Sequence, residues 1–232
     1  MTRFAWLLVA LVGLFLAAGV AGLDRDVQTW FKHIEPVAYA AVMLVALVTV
    51  SSSRVGLGIG VALGLPAVVT GIWESVDPSE TLAVAQSSAT AAFLLFVAVR
   101  VTGHLLKCRT VDADTLCAAA SAYLVFGLAW TALYSLVYDL DPDAFDVGDS
   151  DGGRSLSLSS RQSVHALYFS FVTLTTLGYG DVAPVSAPAR VLAMLEAVVG
   201  QLYLAVLVAR LVGLHLRPDD RELGGQTATV TD

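Results

Sequence analysis

Charge is what this sequence has least of. Of 232 residues, 14% are Asp, Glu, Lys or Arg and 56% are hydrophobic. A soluble domain carries about a quarter charged residues and rather less than about half apolar ones. Long apolar runs broken by short polar loops point to a membrane protein in contact with a lipid bilayer. Positive charge is scarcer still. The net charge of -7 and a pI near 4.9 exclude a nucleic-acid partner, which would require a basic face. Cysteine is nearly absent: Cys108 and Cys117 have no His or Cys at ligand spacing, so they form no metal motif and read as small apolar residues near a cytoplasmic boundary. His33, His104, His165 and His215 are scattered and read as interface residues rather than ligands. No nucleophile-base-acid set and no phosphate loop is present, so the chain reads as no enzyme, and no organic cofactor is expected.

What is there is a series of apolar runs, at about 4–23, 36–50, 55–73, 81–103, 116–138 and 189–213. The first follows Arg3 and ends in small residues, as a signal peptide does, but it is long enough to span and is read as a retained helix. The second begins at Pro36, a good first-turn residue. The third is rich in Gly, which lets helices approach closely, and closes on Trp73 at interface height. Tyr134 and Tyr138 are read as markers of the outer end of the fifth. Six spans put both chain ends on one side. With the N-terminus inside, Arg3, Arg54, Arg100, Lys107, Arg109, Arg210, Arg217 and Arg221 lie inside. Arg25, Lys32, Arg154, Arg161 and Arg190 lie outside. Eight against five favours cytoplasmic termini.

Between the fifth and sixth runs the character changes. Residues 139–160 are polar and hold Asp139, Asp141, Asp143, Asp146, Asp149 and Asp151. They are expected to form a solvated loop on the outer face. Residues 161–176, RQSVHALYFSFVTLTT, are apolar and aromatic but too short to span, and read as a re-entrant helix. Such a segment is tolerated at membrane depth only when buried in protein or facing water. Pro184 and Pro188 are expected to delay the next helix until about Ala189.

The residues that follow the re-entrant helix, Thr176-Leu177-Gly178-Tyr179-Gly180-Asp181, resemble the selectivity-filter signature of prokaryotic potassium channels. The resemblance covers about 116–213. It includes the paired aromatics Tyr168 and Phe169, the Thr175-Thr176 pair and the Asp after the filter. Its one departure in the filter is Leu177, where Val is usual. The resemblance implies an all-α membrane protein, with six transmembrane helices and a re-entrant pore helix and filter between the fifth and sixth. It further implies a homotetrameric pore in the cell membrane that conducts K+ as the permeating ion. The alternatives are a weakly selective cation channel and a non-conducting partner subunit.

The implied chemistry explains the residue types. An ion that sheds its water needs replacement oxygens. The carbonyls of Thr176, Leu177, Gly178 and Tyr179, with the Thr176 hydroxyl, would supply successive rings from four subunits. Inward carbonyls require left-handed geometry at alternate residues, which Gly178 and Gly180 adopt without a Cβ penalty. Tyr179 is expected to wedge outward against Tyr168 and Phe169, and Asp181 to bond within the filter's support. Glu196, costly inside a span unless paired, is expected either to pack behind the filter against pore-helix hydroxyls such as Thr173 or Thr175 or to reach the outer water layer. Gly200 falls where many family members carry a hinge glycine, and Gln201, Leu204 and Val208 share the face that lines their cavity. Residues 1–110 then form a four-helix region, 111–216 the pore domain and 217–232 a short tail. In voltage-gated relatives the fourth span carries Arg or Lys at every third position; here 81–103 holds Arg100 alone, so no charged voltage sensor is expected.

Overall fold

In lipid every backbone polar group must be satisfied internally, and an α-helix does this within one segment. The structure, a computed structural model describing residues 3–21, 40–49, 54–77, 79–108, 112–147 and 158–215, follows that rule. Its helices are α1 (Arg3–Ala21), α2 (Ala40–Thr49), α3 (Arg54–Val76), α4 (Glu80–Leu105), α5 (Ala113–Leu140), α6 (Leu158–Leu174) and α7 (Ala187–His215). Four of them, α3, α4, α5 and α7, are long and apolar enough to cross a membrane. The described apolar parts of α1 and α2, Phe4–Ala17 and Ala40–Thr49, are shorter. Pro36, Asp149, Asp151 and the tail 217–232 lie outside the described residues.

Helix α5 is the axis of the fold. Asp112 starts it: its carboxylate accepts the Thr115 N–H (2.8 Å) and the Thr115 hydroxyl (2.7 Å), and those bonds hold its pKa below the usual range. The helix then buries a run of small residues, Ala118, Ala119, Ser121, Ala122, Ala129 and Ala132, which let α4 and α1 pack closely against it. One apolar core joins α1, α2, α3, α4 and α5 and reaches Leu167 of α6 and Tyr203 and Leu207 of α7. A second core, at the other end of α5, gathers Trp130, Tyr134, Tyr138, Phe145, Phe169 and Val182.

Two ends are thereby defined. At one, the Phe4 N–H donates to Asp114 (3.1 Å), the Phe4 ring meets His104, and Arg210 donates to the Cys108 carbonyl (2.6 Å). The start of α1 and the end of α7 therefore lie at the same end. At the other, the Ser87 hydroxyl donates to Asp139 (2.6 Å), tying α4 to α5.

That second end corrects three expectations. Residues 139–160 are not a uniform solvated loop. Asp139 belongs to α5, and β1 (Phe145–Val147) pairs antiparallel with β2 (Val182–Pro184), in the register Phe145↔Pro184 and Val147↔Val182. The fold is all-helical apart from this one small ribbon. Phe145 is the reason: its buried ring stacks on Tyr138 and meets Tyr134 and Phe169 edge-on. Tyr134 is wholly buried, so it is no interface marker. Finally, α7 begins at Ala187, not Ala189. The Ser186 hydroxyl accepts the Ala189 N–H, and Pro188 sits in the first turn, where a missing N–H costs nothing.

Candidate functional site

Helix α6 is short and ends at Leu174, and its last carbonyls are used in turning the chain. The Val172 carbonyl accepts the N–H of Leu177 (2.9 Å) and of Gly178 (3.3 Å), and the Thr173 carbonyl accepts that of Thr176 (3.0 Å). Amides bound to the helix end cannot face the opposite side. No donor among the described residues meets the carbonyls of Thr176, Leu177, Gly178 or Tyr179, and residues 175–181 are all exposed.

The backbone explains how four acceptors are left open in succession. Thr176, Gly178 and Gly180 have φ of +59°, +57° and +79°. Left-handed residues alternate along the segment, as the glycine spacing predicts. The addition is Thr176: a β-branched residue in that region is strained, at a cost on the order of 1–3 kcal/mol. Its hydroxyl donates to the Thr175 carbonyl (2.6 Å), which leaves the hydroxyl's lone pairs as further acceptors.

The support differs from expectation. The Tyr179 ring is 67% exposed and has no ring partner among the described residues. Phe169 turns the other way, against Tyr134 (4.9 Å between centroids) and Phe145 (5.2 Å). The aromatic wedge does not form within one chain, because Phe169 lies on the face of α6 that packs on α5. Tyr168 instead donates its hydroxyl to Asp181 Oδ2 (2.6 Å), and Asp181 Oδ1 accepts the Val182 N–H (3.1 Å). The Tyr168 bond holds the Asp181 carboxyl below its usual pKa, while the same bond pushes Tyr168 up to about 12.

Behind the segment, Glu196 is completely buried. It meets a hydroxyl of α6, as one of the two expectations has it, but that hydroxyl is Ser170 (2.6 Å) rather than Thr173 or Thr175, and the Tyr134 hydroxyl of α5 joins it (2.6 Å). Thr175 donates to its own helix, at the Phe171 carbonyl. Two close approaches let this joint form. A Cβ on Gly127 would lie 2.3 Å from the Phe171 ring, and one on Gly200 would lie 2.8 Å from Leu174 Cδ1 and 3.0 Å from its carbonyl. Helix α7 runs unbroken through Gly200, which here gives passage beneath the end of α6. The Tyr123 hydroxyl donates to that same Leu174 carbonyl (3.2 Å). Gln201, Leu204 and Val208 lie exposed along α7. Sequence reasoning missed Tyr134, Ser170, Gly127 and Tyr123; the signal available was Ser170, the one hydroxyl between Phe169 and Phe171 in an apolar helix.

No group of three or more His, Cys, Asp or Glu side chains suited to a metal ion occurs among the described residues. The donor set that does exist is a succession of neutral backbone oxygens, with one carboxylate, Asp181, directly after it. Residues 115–215, from the third residue of α5 to the end of α7, match the model of a family described as "Ion channel", which is not a family of enzymes. No curated protein matches the chain, and no solved structure does.

Proposed function

We propose that this chain, whose residues 115–215 carry an ion-channel domain, is one subunit of a potassium-selective channel assembled from four copies. The observation that carries the reading is the row of unbonded carbonyls at 176–179, held open by left-handed residues at 176, 178 and 180. One chain offers a quarter of each oxygen ring. The segment is exposed in the single chain, and α7 is the least buried of the four long helices, with Met194, Leu195, Val198 and Leu202 all exposed. Three further copies would cover these surfaces.

In this reading α1–α5 and α7 cross the cell membrane, α6 is re-entrant, and both termini are cytoplasmic. Arg100, Lys107 and Arg210 lie toward the end at which α1 starts and α7 finishes, in keeping with that orientation. The pore helix aims the negative end of its dipole at the cavity, which favours a cation there. Thr176, Leu177, Gly178, Tyr179 and Gly180 form the filter; Tyr168, Asp181 and Glu196 hold it; Gln201, Leu204 and Val208 line the cavity. With Arg100 the sole basic residue in 81–103, the conductance is leak-like rather than steeply voltage-dependent.

The test is a reversal-potential measurement on the purified protein in liposomes under a potassium gradient opposed by sodium. Reversal near the potassium equilibrium potential is expected. Reversal that follows total cation identifies a weakly selective pore, and no current at all identifies a partner subunit.

A further inference from the structure

Behind the filter the oxygens outnumber the hydrogens. Ser170 Oγ lies 2.6 Å from Glu196 Oε1 and 2.8 Å from the Gly127 carbonyl, and Tyr134 Oη lies 2.6 Å from Glu196 Oε2. Each is an oxygen-oxygen approach that needs a hydrogen between the two atoms. Serine and tyrosine contribute one each, and a carbonyl contributes none. The Gly127 carbonyl also accepts the Thr131 hydroxyl, whose single hydrogen is thereby used. If Glu196 were ionised, three contacts would share two hydrogens. A carboxyl that keeps its own proton closes the count: Tyr134 donates to Oε2, Oε1–H donates to Ser170, and Ser170 donates to Gly127.

The surroundings agree with the count. Glu196 has no exposure, and a charged carboxylate out of water without a cation is costly. From α5 the titratable groups that face it are Tyr134, in contact, and Tyr123, farther along the same helix. From α6 the facing group is Ser170; His165 and Tyr168 of that helix act on Asp181 instead. Strand β2 brings only Val182, Ala183 and Pro184. On α7 itself, Arg190 donates to the Pro184 carbonyl and Tyr203 to the Ala119 carbonyl. Among the described residues no Lys, Arg or His hydrogen-bonds Glu196.

We propose that Glu196 is carried as a neutral acid, and that in this form it is the positioning residue that fastens the pore helix to both α5 and α7. Raising the pH until it ionises removes the third hydrogen, sets Ser170 between two pure acceptors, and releases the joint that supports residues 175–181. Conduction is therefore alkali-sensitive. The effect on conduction rests on the channel reading above; the protonation does not.

The experiment has two readouts on the full-length protein in liposomes. The first is infrared difference spectroscopy, wild type minus Glu196→Gln. Glutamine reproduces the neutral acid's pattern, with its NH2 toward Ser170 and its carbonyl toward Tyr134. At neutral pH the difference spectrum should hold the carbonyl stretch of one protonated carboxylic acid, which vanishes reversibly as the pH is raised. Ser170→Ala should shift that band without abolishing it. A carboxylate pair of bands at neutral pH overturns the proposal. The second readout is potassium flux. The wild type should lose flux reversibly over the pH range in which the band disappears, and Glu196→Gln should keep it throughout. Equal loss in both overturns the positioning role. The acid band without flux in either protein, at any pH, counts for the neutral acid and against the channel reading.

Discussion

The two sides of residues 170–180 are opposites. On the back, oxygen atoms are crowded and bonded: Ser170, Tyr134, Glu196 and Gly127 meet at 2.6–2.8 Å with no exposure at Glu196. On the front, four successive carbonyls have no donor among the described residues and lie open. Buried polar groups are ordinarily all satisfied, and acceptors left open at a helix end are what a cation can use. The contrast teaches that one short helix divides the labour. Its back is fixed by internal hydrogen bonds so that its front need not be, and whatever satisfies the front must come from outside the chain. Changes on one side should therefore read out differently from changes on the other.

The largest effect should come from the front. Gly178→Ala meets no steric obstacle, since an added Cβ has nothing within 4 Å, so its cost is conformational. A side chain at φ +57° costs about 1–2 kcal/mol in each subunit. In four copies that penalty should flip the carbonyls out of register and abolish potassium selectivity while leaving assembly intact. A mutant that conducts with wild-type selectivity would show that residues 176–180 are not the filter.

The back should respond in stability. Glu196→Ala leaves the Tyr134 hydroxyl buried without its partner, at about 1–3 kcal/mol, reduces Ser170 to its bond with the Gly127 carbonyl, and opens a cavity besides. Thermal melting of the assembled protein should fall by several degrees or more, whereas Glu196→Gln should melt near the wild type. If alanine and glutamine are equally mild, the joint is not structural.

A smaller and sharper effect concerns the link between the sides, Tyr168 to Asp181. The sign follows from the depressed carboxyl: the bond's stabilisation is complete at neutral pH and is lost only as pH falls through a value below the ordinary 3.8. Tyr168, pushed up to about 12, likewise stays protonated through mild alkali. Tyr168→Phe should therefore bring acid inactivation up toward the ordinary aspartate range and leave the alkaline response of Glu196 where it is. Movement of the alkaline limb in that mutant would mean that the two sites are not separate.

How much of this is legible in the sequence depends on the distance over which each feature is determined. The alternating backbone of residues 176–180 follows from Gly178 and Gly180 at their own positions, and the long runs that become α4, α5 and α7 are set by composition within one helix. Glu196 is different. Its cost inside a span is visible in one residue, but its partners depend on which face of α6 turns toward α7, and α6 with the turn that follows it holds Ser170, Thr173 and Thr175 within six positions. The ribbon escapes for another reason. Strands of three residues fall below any useful period, and Phe145 sits between Asp143 and Asp146, so its apolar signal is drowned by its neighbours. Thr176 escapes because nothing local asks a β-branched residue to be left-handed; only the turn at the end of α6 does.

The acidic stretch is the weakest lever on the comparison, because it lies outside both sides. Asp139 is taken by Ser87 and the Asp141 carboxylate caps the Asp143 N–H, so the stretch is not a uniform set of free charges. Asp141, Asp143 and Asp146 are nonetheless exposed, and β1 carries Asp146 alongside β2, which directly follows the filter. In four copies such residues would ring the outer mouth and raise the local concentration of cations. The reach of that field is the Debye length, about 10 Å at 0.1 M salt and about 3 Å at 1 M. Neutralising Asp141, Asp143 and Asp146 together to Asn should thus lower inward current modestly at low potassium and leave it nearly unchanged at molar salt, with selectivity constant because the filter oxygens are untouched. Single-channel recording across a salt series decides the matter. Equal loss at every salt concentration, or no loss at any, would mean that these carboxylates serve solubility, as acidic surface residues do in a salt-rich environment, and that the filter draws its ions without help from the rim.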